Sequence, residues 1–174
     1  MKHRIPWGLI LCTGCLVVVG FLIWRATRPQ DLQTEYREML SRVRYPSAAT
    51  IHFPSRIPEE AETVSMDLSR AIGQGGTELT LEYTVSDAEV LSDYLRRWGA
   101  RAVWSGPVSD TSRAEYGSFS DFTRFFASDT APEDLQIYIF YSQQSRRGTW
   151  NHGTVGYAAV SQSLNYVLFR YEEW

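Results

Sequence analysis

No charged side chain occurs between Ile5 and Trp24. At a helical rise of about 1.5 Å per residue, that stretch spans about 30 Å, the thickness of a bilayer core. Trp7 and Trp24 stand near its two ends, where indole rings favour the headgroup layer. Lys2, His3 and Arg4 precede the run, and Arg25 and Arg28 follow it. The N-terminal amine tips the positive charge toward the first flank, so the positive-inside rule puts the N-terminus in the cytoplasm. The expectation is a single-pass signal-anchor in the cell membrane of a bacterial envelope. Residues 1–4 form the cytoplasmic flank, 5–24 the transmembrane helix and 25–47 a juxtamembrane helix or linker. Residues 48–174 then form one extracytoplasmic domain, and the lipid bilayer is the partner of 5–24.

Three rival readings of this segment are weaker. A cleaved signal peptide wants a short apolar core and a small-x-small exit; here the run ends in bulky Phe21-Leu22-Ile23-Trp24. A lipidated Cys15, preceded by Thr13-Gly14, would leave the apolar run continuing from Leu16 to Trp24. Cys12 and Cys15 also spell C-x-x-C. In lipid, with no polar neighbour to lower a thiol pKa, they read as two small apolar residues.

The remaining 150 residues hold 15 basic and 20 acidic side chains, a formal −5, and contain neither cysteine nor lysine. That excludes thiol nucleophiles, cysteine-held zinc, disulfides and Schiff-base chemistry from this part. The acidic balance argues against nucleic acid as a partner.

Periodicity outlines an α+β domain: an antiparallel sheet of about five strands with two or three helices on one face. A helix is predicted from Pro29 or Gln30 to Arg44, with Leu32, Tyr36, Leu40 and Val43 on one stripe. It either packs on the domain or stands off as a stalk. Ile51 to Pro58 has prolines four apart and reads as an extended loop. Alternating strands are predicted over Glu62–Leu68, Thr77–Val85, Leu135–Ser142, Thr154–Ser161 and Tyr166–Tyr171. Gly73, Gly75 and Gly76 mark a turn, and Gln162–Asn165 a hairpin connection. Ser86 and Glu89 suggest a capping box opening a helix that ends at Gly99, with Leu91, Tyr94, Leu95 and Trp98 as its apolar stripe. Ala102-Val103-Trp104 suggests a short strand stopped by Gly106-Pro107. Residues 105–120 and 143–153 read as polar loops, and Phe119, Phe122, Phe125 and Phe126 as a helical turn packed on the core.

Four segments, taken in order, carry a resemblance. They are Ile51-His52-Phe53-Pro54 with Ile57-Pro58 and Ala61, the Gln74-Gly75-Gly76 turn, Trp150-Asn151-His152-Gly153, and the C-terminal Tyr171-Glu172-Glu173-Trp174. Together they resemble a group of bacterial domains that lie behind a signal sequence or membrane anchor and have no assigned activity. The resemblance spans about residues 48–174 and implies the fold and an envelope location, but no catalytic residue. Leu68 to Gly73 lacks the aromatic residues of that pattern.

No nucleophile elbow, metal-binding helix, phosphate loop or calcium loop is present. The adjacent acids Glu59-Glu60, Glu133-Asp134 and Glu172-Glu173 read as solvated surface. No catalytic residue, metal ligand or cofactor is therefore assigned, and the chain is read as a non-enzyme. The candidate binding residues are Trp150, Asn151 and His152, in a turn at the mouth of a hairpin, and His52. The first expectation is a binding or interaction module whose partner is another envelope protein or a cell-wall component. Its groove would be lined by Trp150, His152 and the 105–120 loop. The alternative is a small envelope hydrolase pairing a histidine with a carboxylate.

Overall fold

The computed structural model describes residues 31–70, 76–113, 132–146 and 149–173. Two helices, α1 (Leu32–Arg42) and α2 (Ala88–Gly99), accompany six strands. The strands are β1 (Glu62–Arg70), β2 (Thr77–Thr84), β3 (Trp104–Pro107), β4 (Gln136–Arg146), β5 (Thr149–Ser161) and β6 (Tyr166–Glu173). They form one sheet in the order β1-β2-β6-β5-β4-β3, antiparallel throughout. The chain is thus α+β, with one strand more than the alternation in the sequence suggested. The extra strand is β3, at the edge. It lies later than predicted, and Gly106 and Pro107 belong to it instead of stopping it. An edge strand tolerates proline because one side of its backbone needs no ladder partner.

Period-two alternation decides what each face buries. On one face, Leu79, Leu81 and Tyr83 of β2 join Val167, Phe169 and Tyr171 of β6 and Ala158 and Val160 of β5. Register places Leu81 and Ala158 on either side of Phe169. Tyr36, Leu40 and Val43 from α1 and its exit, and Leu91, Tyr94 and Trp98 from α2, close over this face. On the other face Ile137, Ile139, Val155, Tyr157, Ala159 and Leu168 form a second buried cluster. Strand β4 is accordingly buried on both sides, with Tyr138 facing the helices and Ile137 and Ile139 facing away.

Helix α1 is part of the core. Tyr36 is fully buried and its hydroxyl donates to the Pro54 carbonyl at 2.7 Å. Gln33 holds both backbone groups of Ile57, donating to its oxygen at 2.7 Å and accepting from its nitrogen at 3.1 Å. These bonds fix the proline-containing loop against the helix. Leu32, placed on the apolar stripe from the sequence, is half exposed. The helix ends in a Schellman arrangement: Arg44 takes a left-handed φ of 59°, its N–H reaches Ser41 O, and the Tyr45 N–H reaches Leu40 O. Helix α2 is capped one residue later than the capping-box reading, since Asp87, not Ser86, accepts from the Glu89 N–H at 2.8 Å. Ser86 donates instead to the Glu62 carboxylate.

The stretch 143–153, read as a polar loop, is strand on both sides of residues 147–148. Gln144 pairs with Gly153 and Arg146 with Thr149, so Trp150, Asn151 and His152 stand opposite Ser145 alone, as an irregular bulge in β5. The β5–β6 hairpin is the one expected. Asp134 clamps it by accepting from Ser161 Oγ, Ser163 N and Ser163 Oγ at 2.7–2.8 Å. Burial alone would raise this carboxyl's pKa, but the hydrogen bonds outweigh it and hold it below the usual range. No helix among the described residues is long and apolar enough to cross a membrane. The Ile5–Trp24 segment, Gly73, Gln74 and Gly75 of the glycine turn and the phenylalanines from Phe119 to Phe126 lie outside the described residues.

Candidate functional site

The loop from Ile51 to Pro54 and the C-terminal half of α2 do not close completely over the sheet. Between them a cleft of about 190 Å³ is lined by Ile51, His52, Phe53, Pro54, Tyr83, Tyr94, Arg97, Trp98, Arg101 and Phe169. Its walls are mostly rings. Trp98 stacks on Tyr94 with centroids 5.1 Å apart and meets Phe169 edge-on, also at 5.1 Å. Phe53 packs against Phe169 at 5.8 Å. Tyr94 and Trp98 come four apart on α2, one turn, which is what stacks them.

Polar groups reach the cleft from two directions. Tyr83 donates to Tyr94, whose hydroxyl donates to the Glu60 carboxylate at 3.2 Å. Burial, first, and these hydrogen bonds push the Tyr83 hydroxyl's pKa upward, so it stays protonated. Arg97 and Arg101 supply positive charge. Arg97 lies over the Tyr94 ring, 5.4 Å from its centroid, and pairs with Asp93. Arg101 is exposed, and no acidic side chain among the described residues pairs with it. A second hollow, about 420 Å³, is walled by one face of α2 (Ala88, Glu89, Ser92, Asp93, Arg96) and includes no fully buried side chain of that helix.

His52 forms part of the cleft wall and is itself buried at 6 % exposure. Its Nε2–H donates to the Arg170 carbonyl at 2.9 Å, and Nδ1 has no hydrogen-bond partner. The ring is parallel to Phe140 at 5.3 Å and sits over Gly156, where a Cβ would come within 2.8 Å of it. Burial, chiefly, drives its pKa down to about 3, and the charge of Arg101 acts in the same direction. A neutral imidazole with a backbone partner and no carboxylate neither takes up a proton near pH 7 nor activates a nucleophile.

The sheet's other face carries a buried ion cluster. Arg170, 1 % exposed, pairs with the Glu172 and Glu78 carboxylates and donates to Thr80 Oγ1. Tyr157 also donates to Glu172. Glu172 was read from the sequence as solvated; its alternation with Arg170 and Leu168 on β6 places it inside. A charged residue two positions from an arginine within an apolar strand was the available signal.

Of the four candidate residues, only His52 has a described side chain, and it lies in the cleft. Trp150, Asn151 and His152 lie in the β5 bulge, with His152 four residues from Gly156. Their side chains lie outside the described residues. The cleft's own defining residues, Tyr94, Trp98 and Arg101, were missed, because an aromatic stripe on an amphipathic helix reads as core. Among the described residues no group of three or more His, Cys, Asp or Glu could hold a metal ion. No protein-family model matches the chain, and no curated protein or solved structure matches it.

Proposed function

We propose that this chain is a binding module of the bacterial envelope, tethered by residues 5–24 with its domain outside the cytoplasm, and that the cleft between Ile51–Pro54 and α2 is its recognition site. The observation that carries the reading is the cleft's make-up: aromatic side chains from the loop, β2, α2 and β6, among them the hydrogen-bonded Tyr83–Tyr94 pair, with two arginines in its lining. Binding sites combine an apolar wall with a few placed polar groups in this way. At about 190 Å³ the cleft is smaller than the usual small-molecule pocket. That size suits a single anchoring side chain of a larger partner, such as another envelope protein or a cell-wall component. The hydrolase alternative is the weaker one, since His52 is neutral, buried and bonded to backbone.

The tether reading rests on the uncharged run Ile5–Trp24 and its flanking charges. Membrane fractionation of the full chain tests it, and a reporter fused after Trp174 that is active only in the cytoplasm overturns the orientation. The site is tested by blocking it at its rim. Ile51 is 52 % exposed, so Ile51→Trp fills the cleft mouth without disturbing the core. Loss of partner binding with an unchanged melting temperature supports the cleft. Undiminished binding by that variant rejects it.

A further inference from the structure

The sheet has two edges, and they are built differently. Edge strand β3 is four residues long and ends in Gly106-Pro107, which makes it a poor template for another strand. Edge strand β1 is nine residues long, contains no proline and, among the described residues, pairs only with β2. Val64, Met66 and Leu68 are half-buried against the helix-side core, while Ser65, Asp67 and Ser69 on the other face are exposed. A bulge between Glu62 and Ser65, with Thr63 at φ 47°, leaves that alternation intact and Ser65–Arg70 regular. The outer backbone N–H and C=O groups of such an edge are open for pairing.

The sequence of β1 is complementary to itself. Laid antiparallel on a second copy about a two-fold axis at Met66, Met66 meets its own counterpart, Val64 meets Leu68, Ser65 meets Asp67 and Glu62 meets Arg70. Apolar residues then face apolar ones on the helix side, hydroxyl faces carboxylate on the other, and an opposite-charge pair forms at each end. Neighbouring registers lose this match. An axis at Asp67 sets that carboxylate against itself, and an axis at Ser65 sets Leu68 against Glu62. Within their own chain Glu62 accepts from Ser86 Oγ and Arg70 donates to the Arg42 carbonyl, both in exposed bonds. These leave a second carboxylate oxygen and further guanidinium N–H groups for a partner. The axis stands perpendicular to the sheet, so the helices of both copies lie on one side of the joined sheet, which suits two copies tethered to one bilayer. We infer that β1 is a self-association edge, through which two copies of this chain join antiparallel into one continuous sheet as an isologous dimer. No residue of β1 lines the cleft, so a failure here leaves the cleft reading untouched.

The test uses the full-length chain in liposomes, with Cys12→Ala and Cys15→Ala as background. Ser65→Cys and Asp67→Cys are made singly, since both sites are exposed. Directly opposed strand residues have Cα atoms about 4.5–5.5 Å apart, within disulfide reach, and diagonal ones about 7–8 Å, beyond it. Under mild oxidation the two variants, reconstituted together, should crosslink to each other several-fold more than either does to itself. Arg70→Glu should weaken dimerisation about tenfold, read by energy transfer between C-terminally labelled copies, because two opposite-charge pairs become like-charge ones. Adding Glu62→Arg should restore it. Residues 62 and 70 lie about 26 Å apart along one strand, so that rescue acts only between copies. Crosslinking without preference for the mixed pair, or energy transfer insensitive to both charge variants, overturns the β1 interface. Absence of energy transfer at every protein density in the bilayer overturns self-association altogether.

Discussion

Acidification should destabilise this domain through His52 in a measurable and removable way. The imidazole titrates at about 3 in the folded chain, against an ordinary value of 6.5. Its folded pKa is depressed, so the native state holds it neutral while the unfolded chain takes up a proton. Stability from this group is complete above pH 6.5 and falls as the pH drops toward 3. The slope in that window is about 1.4 kcal/mol per pH unit. Between pH 7 and pH 5 the loss attributable to His52 is then about 2 kcal/mol. Because the ring is buried, solvent screening does not reduce this figure much. His52→Gln keeps a side-chain N–H for the Arg170 carbonyl and removes the titration. Urea denaturation at pH 7 and pH 5 should show the wild type losing about 2 kcal/mol more than the variant over that interval. The variant's lower stability at pH 7 does not matter, because the comparison is of pH dependences. Parallel losses, equal within about 0.5 kcal/mol, would refute the argument, as would a His52 ring signal titrating near pH 6.5.

Other outcomes follow from packing and capping. Gly156→Ala puts a Cβ 2.1 Å from the Ala49 carbonyl oxygen and 2.8 Å from His52. A carbon–oxygen contact needs about 3.3 Å, so the backbone of the loop must move, at a cost of about 1–3 kcal/mol seen as a lower urea midpoint. Asp87→Ala should cost about 1 kcal/mol and Ser86→Ala measurably less, because the aspartate holds the Glu89 N–H. Arg170→Met should cost about 3–5 kcal/mol by stranding the buried Glu172, and adding Glu172→Leu should recover part of it; a double variant no better than the single one would deny the coupling.

Much of the fold was legible because its strands alternate cleanly. Leu79, Leu81 and Tyr83 announced the buried face of β2, and Leu135, Ile137 and Ile139 announced β4, whose other face, with Tyr138, is also buried. The polar ends were not legible. Gln143, Gln144 and Arg146 extend β4 by pairing with Thr154, Gly153 and Thr149 of β5, and no run of alternating apolar residues marks this extension. Strand extension of that kind is decided by the neighbouring chain, not by local preference. Edge strand β3 was misplaced because proline at an edge obeys different rules from proline at a stop. The site was half legible. His52 stood out as a histidine in a proline loop, yet nothing local said that Gly156 would receive it. Tyr94 and Trp98 looked like core, and they are core on one side and cleft wall on the other.

One residue joins the two faces of the sheet. The Arg170 carbonyl holds His52 beside the cleft, while the Arg170 side chain enters the ion cluster on the opposite face. On the cleft side, α1 grips the same loop twice, through Tyr36 on Pro54 and Gln33 on Ile57. The loop that forms one wall of the cleft is therefore tied directly to the helix nearest the proposed anchor. Seven residues separate Trp24 from Leu32, and at no more than about 3.6 Å each the chain between them reaches about 25–30 Å. If residues 5–24 span the bilayer as proposed, α1 begins within that distance of the membrane surface, and the loop it holds through Tyr36 and Gln33 lies beside it.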